Sequence, residues 1–277
     1  MALVVNTNMN ALMIENTLTQ TNNAVSSSLL KLSSGLRINS AEDDPAGFAI
    51  ANSFAAKIAS MQVASQNAGE AQSMLQTADG AYTQINDILV QMKSLATEAA
   101  SGQTQDNLLT GEFGALQNEI DRIANSTVYA SQTLINNSGN AASGITFQIG
   151  ATNNANNQII ISFNGATATC LGVSSGSVGI GSLASAQAAM DALDTALTSI
   201  NSYMGGVGSY QNRLQYTINN LTTSIQNYTS SQSTIQDVDM ASEVSTFTKN
   251  QILQQTGMAM LAQANSMPQS ILTLLQH

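Results

Sequence analysis

The chain has 277 residues, with 7 Lys plus Arg against 17 Asp plus Glu, a formal net charge of −10, and 9% charged residues, where about 25% is usual. So acidic a chain has no positive footprint for a phosphate backbone, which argues against a nucleic-acid partner, and no apolar run reaches the roughly 18 residues of a membrane span. Aromatic residues are 4% with no Trp, so the apolar fraction is mostly aliphatic residues, Met and Ala that suit long, thin helical packing, and a surface so poor in ions points to one covered by other chains.

Apolar spacing gives the first element. Steps of three or four from Val4 reach Thr7, Ala11, Ile14, Leu18, Asn22, Val25, Leu29, Leu32 and Leu36, all apolar except Thr7 and Asn22. A stripe near 3.5 residues per turn is a coiled-coil seam. The segment MALVVNTNMNALMIENTL lacks the basic region and cleavage pattern of a secretory signal, which argues against the general export route. Gly35 supplies a stop, Asp44 an N-cap and Pro45 a first helical position. The second helix reads through Leu75, Ala78, Tyr82, Ile85, Leu89, Met92, Ala96 and Ala99 and stops near Gly102, roughly 80 Å at 1.5 Å per residue. A third follows around Leu116 to Val128.

The segment 138–182 changes character: Gly, Asn and Ser clusters flank two predicted strands, 145–149 and 158–163. Ser182 is a predicted N-cap, after which the seam returns at Ile200, Tyr203, Val207, Tyr210, Leu214, Ile218, Leu221, Ile225, Tyr228 and Ile235. Gly205, Gly206 and Gly208 lie inside this helix, marking either a close helix contact or a bend. The last stretch carries Leu253, Met260, Ala264, Met267, Ile271 and Leu274, a third narrow stripe interrupted by Pro268. The expected fold is mainly α, a long antiparallel helical bundle or coiled coil with a small β-hairpin region.

Enzyme chemistry finds little footing. Gly172-Val173-Ser174-Ser175-Gly176 matches G-x-S-x-G, but lies in a Gly/Ser-rich loop instead of a strand–turn–helix, and the single histidine is His277. Glu42-Asp43-Asp44 lacks the alternating oxygen ligands of a calcium loop and reads as capping and turn residues. The 172–181 glycines fit no phosphate loop. Cys170 has no partner for a disulfide or a metal site. The reading is a non-enzyme with no cofactor and no metal.

The two ends together resemble bacterial flagellin. The amino-terminal resemblance lies in Leu3-Val4-Val5-Asn6-Thr7-Asn8 and in Leu32-Ser33-Ser34-Gly35-Leu36-Arg37-Ile38-Asn39-Ser40-Ala41-Glu42-Asp43-Asp44-Pro45-Ala46-Gly47; the carboxy-terminal one lies in Asn250-Gln251-Ile252-Leu253-Gln254-Gln255 and Ala262-Gln263-Ala264-Asn265-Ser266-Met267-Pro268-Gln269. The resemblance implies a structural subunit of the flagellar filament in a short form without outer domains, or, as the alternative, a hook-filament junction protein. It implies a terminal inner-core domain (1–44 with 236–277) and an outer-core bundle (45–235) with a hairpin near 145–163.

The filament-packing residues are then expected to be Leu18, Val25, Leu29, Leu32, Leu36, Leu253, Met260, Met267, Ile271 and Leu274. The resemblance further implies unfolded type III export to an extracellular filament. The implied partners are other copies of the chain, an export chaperone, and hook-associated and cap proteins. A receptor-like surface at Gln91, Leu95 and Glu119 departs from the family motif, with Gln91 and Ser94 in place of Arg and Glu, which implies weak recognition by a Toll-like receptor.

Overall fold

Helix signals act where the sequence puts them. Asn8 caps α1 (Met9–Ser34), its side chain accepting the Ala11 N–H at 3.2 Å, and Gly35 closes it in the left-handed conformation (φ 73°), donating to the Lys31 carbonyl at 2.9 Å. Asp44 accepts the N–H groups of Ala46 and Gly47 at 3.1 and 3.0 Å and so starts α2 (Pro45–Ala99). A side chain at Gly47 would collide with the Asp44 carboxyl and Ile38. The computed structural model describes residues 8–101, 106–137 and 143–275, and among these the side chains of 8–101, 108–137 and 143–267.

After α3 (Asp106–Ser126), β1 (Val128–Tyr129) and β2 (Gln132–Thr133) form a small antiparallel pair absent from the sequence reading. Ala130 (φ 47°) and Ser131 (φ 65°) supply the two positive φ values that such a tight turn needs. β3 (Ile145–Gln148) and β4 (Gln158–Ile161) form the expected hairpin, pairing Ile145 with Ile161 and Gln148 with Gln158. Ser182 and Ser185 exchange backbone-to-hydroxyl bonds in a reciprocal cap at the start of α4 (Leu183–Gln236). Asp239 accepts the Ala241 N–H and opens α5 (Met240–Leu275), which continues through Pro268 where the sequence suggested an interruption. The described residues thus hold five α-helices and two two-stranded sheets.

The chain forms two compact units, Lys57–Gln226 and Met1–Ala56 with Asn227–His277. In the first, the whole predicted α2 stripe from Leu75 to Ala99 is buried, as are Ile200, Val207, Leu214 and Leu221 of α4. The loop 163–181 packs inward through Phe163, Ala166, Leu171, Val173 and Ile180. Polar groups pin it: Gln117, 3% exposed, donates to the carbonyls of Val173 (2.8 Å) and Val178 (3.0 Å), Asp121 accepts the Ala168 N–H, and the Tyr82 hydroxyl donates to the Asn164 carbonyl at 2.7 Å. Buried backbone carbonyls of an irregular segment need such partners. An ion pair joins Lys93 of α2 to Asp194 of α4.

In the second unit α1 lies antiparallel on α5. The breaks preceding α2 and α5 are tied together: Arg37 donates its N–H to the Gln236 carbonyl and its guanidinium to the Ile235 carbonyl, while Val238 donates to Gly35. Phe54 meets Tyr228 edge-on with ring centroids 5.4 Å apart.

Candidate functional site

The α1–α5 pair is the surface to which the sequence assigned assembly. On α1 the half-buried or buried Ala11, Ile14, Leu18, Thr21, Val25, Ser28 and Leu32, and on α5 Phe247, Asn250, Gln254, Gly257, Leu261 and Ala264, follow alternating steps of three and four; Ala24, Lys31 and Glu243 are half-buried as well. The stepped positions form the internal seam. Asn8 donates to the Ala264 carbonyl at 2.9 Å and Gln254 to the Asn22 side-chain oxygen at 2.7 Å, while Leu18 sits over Gly257.

The predicted packing residues therefore fall in two places. Leu18, Val25, Leu32 and Leu36 are half-buried in the second unit. Leu29 (55% exposed), Leu253 (48%), Met260 (54%) and Met267 (58%) lie outside the seam positions and are exposed, as are Met9, Leu12, Met13, Leu30, Ile252 and Met258. The side chains of Ile271 and Leu274 lie outside the described residues. Sequence reasoning missed Thr21, Ser28, Gln254 and Gly257, because it followed the largest apolar residue at each turn.

The outward face carries little charge. No Asp, Glu, Lys or Arg lies between Asn250 and Leu275, and from Asn8 to Leu30 the only one is Glu15. Ions resist desolvation and amides or thioethers far less, so such a face can be covered by another protein surface without stranding a charge. Contiguous exposed apolar residues of this kind mark interaction surfaces.

The receptor-like set does not share one face. Leu95 is 8% exposed and belongs to the core of the 57–226 unit, three residues after the buried Met92 and so on the same inward side of α2. It is not a surface residue. Gln91 is exposed and its amide approaches Glu112 at 3.4 Å. Glu119 is held by Arg122 through two hydrogen bonds of 2.7 and 2.5 Å, and the Arg122 guanidinium keeps its carboxyl below the usual range.

The remaining motifs have local roles. The Asp43 carboxyl takes the N–H groups of Asn39 and Ser40, both at 3.0 Å, and these bonds to the charged form lower its pKa. Ser174 lies among turns with its hydroxyl 3.2 Å from that of Ser177. Cys170 is an exposed free thiol. An added Cβ at Gly205, Gly206 or Gly208 would meet nothing within 4 Å, and α4 continues through all three, so close packing within the chain is not their reason.

Comparison with known proteins matches two regions. The Bacterial flagellin N-terminal helical region covers residues 5–140 and the Bacterial flagellin C-terminal helical region covers 190–275. A flagellin of Bacillus subtilis is 37% identical over 98% of this chain and 99% of that protein, and one of Listeria innocua is 35% identical over the same shares. The flagellar filament 33 kDa core protein of Treponema phagedenis is 34% identical over 99% of this chain and all of that protein. A crystal structure of Bacillus cereus flagellin, 29% identical, aligns with 56% of this chain and 88% of that one at a TM-score of 0.49. With both family regions matched at the two ends and full-length relatives that align without an outer domain, the chain belongs to the bacterial flagellin family.

Proposed function

We propose that the chain is the structural subunit of a bacterial flagellar filament and that it polymerises through the outward faces of α1 and α5. The observation that carries the second part is the concentration of exposed Leu, Ile and Met on helices that carry little charge from Asn8 to Leu30 and none from Asn250 to Leu275. Chains that repel one another elsewhere can meet there. Burying each such side chain is worth roughly 1.5 to 3 kcal/mol as an upper figure, and heterologous contacts that do not close produce a helical polymer. The 1–44 and 236–277 segments form the inner core of that polymer and 45–235 its outer wall.

Purified chain under salting-out conditions should form filaments in negative stain, and persistent monomers would refute the reading. The filament is extracellular, reached by type III export with an export chaperone, and it ends on hook-associated and cap proteins. Recognition by a Toll-like receptor is weak, since Gln91 and Ser94 replace a charged pair and a lost charge-assisted contact costs at least about 2 kcal/mol. In a reporter assay Gln91→Arg plus Ser94→Glu should raise potency; full potency of the unmodified chain would refute this.

A further inference from the structure

Between α1 and α5 lies a groove of about 320 Å³, walled by Met13, Ile14, Thr17 and Leu18 on one side and by Leu253 and Met260 on the other. Its floor is Gly257. Glycine is disfavoured inside a helix, yet it stands here in the middle of a 36-residue one. Packing within the chain explains it only in part: an added Cβ would sit 3.3 Å from the tip of Leu18, a flexible side-chain end that can yield by a few tenths of an ångström. What a residue larger than alanine would abolish is the groove. The Gln254–Asn22 hydrogen bond, one helical turn away, bridges the two helices and holds their spacing.

We propose that Gly257 forms a socket that receives an aliphatic or thioether side chain from the α1–α5 pair of a second copy of this chain. The proposal rests on the filament reading above and names its contact. Two features of the groove select that occupant. The groove residues include no ionisable group, so a partner gains nothing there by being charged. The same helix pair displays the required plugs in Leu12, Leu29, Ile252 and Met258, all about half exposed. None of these plugs is among the residues that line the groove, so plug and socket are unlike surfaces, as the non-closing contact of a helical polymer requires.

The test fills the socket from within the full-length chain. Gly257→Met places the chain's own thioether over the floor, and Thr17→Leu crowds the groove from the exposed rim of α1 without touching Gly257. Gly257→Ala leaves most of the volume open. Critical concentrations for polymerisation are measured beside monomer helicity by circular dichroism. Gly257→Met and Thr17→Leu should each raise the critical concentration at least tenfold at unchanged helicity, with Gly257→Ala within about twofold of wild type. If Thr17→Leu keeps its helicity and assembles at the wild-type concentration, the socket is overturned while the filament reading stands. If wild type itself fails to polymerise, both fall.

Discussion

The 57–226 unit and the α1–α5 pair draw on the same aliphatic and small residues, yet they bury them to opposite degrees. In the first, Leu75, Ile85, Leu89 and Met92 are fully enclosed and an irregular loop is drawn inward to complete the core. In the second, the inner seam mixes Ile14, Leu18, Val25, Phe247 and Leu261 with Thr21, Ser28, Asn250, Gln254 and Gly257, mostly half-buried, while many other large apolar residues are exposed. One region satisfies its hydrophobic surface within the chain; the other leaves much of it exposed.

The largest expected effect follows directly. Removing residues 1–40 should leave a soluble helical fragment that forms no filaments, because the 57–226 core is untouched while α1 is gone. Negative-stain microscopy and circular dichroism read the two outcomes, and filaments from the fragment would erase the distinction between the regions.

A matched pair of truncations sharpens it. Leu89→Ala opens a cavity in the closed core and should destabilise the 57–226 unit by about 2 to 5 kcal/mol in urea unfolding. Leu29→Ala removes as many atoms from an exposed site and should change folding by less than about 0.5 kcal/mol, while raising the critical concentration for assembly. Equal effects of the two on unfolding would place Leu29 in a core after all.

Polar groups make the same contrast at smaller scale. Gln117→Leu orphans the carbonyls of Val173 and Val178 in a buried setting and should cost about 1 to 3 kcal/mol, with faster amide hydrogen exchange over residues 168–181. Gln254→Leu should cost less, since Asn22 is exposed and rehydrates. Reversal of that order would mean the α1–α5 seam is the drier of the two.

Where burial was closed, the sequence was easily read. Every α2 position predicted from Leu75 to Ala99 is buried, and every α4 seam position predicted from Ile200 to Ile235 is buried or half-buried, since a residue facing a filled core is apolar. At the ends the same rule slips by one residue. It chose Leu29, Leu253 and Met260, whereas the seam uses Ser28, Gln254 and Leu261. Size and hydropathy cannot separate a face that packs within the chain from one kept for a neighbour, and small residues that let helices approach carry little hydrophobic signal. The β1–β2 pair was missed because its turn is Ala130-Ser131, without the glycine or asparagine that marks such turns. Leu95 shows the cost of carrying a surface motif over by alignment alone, since the residue beside the predicted Ala96 is buried as well.

The smallest effect concerns pH and belongs to the closed unit alone, because neither α1 nor α5 contains a tyrosine. Tyr82 is enclosed, donates its hydroxyl to the Asn164 carbonyl and lies 5.9 Å from the Tyr203 ring; burial first, and the neighbouring phenol second, push its pKa well above the ordinary 10. The folded state therefore favours the protonated phenol. That stability is fully present below about pH 10 and is lost as pH rises from there towards the folded pKa. Tyr82→Phe removes both the hydrogen bond and the titration. At pH 7 it should unfold about 1 kcal/mol more easily than wild type, and at pH 10.5 the gap should narrow, since only wild type must keep a phenol protonated. Urea midpoints at the two pH values measure this, and an unchanged gap would show that Tyr82 ionises freely in the folded chain.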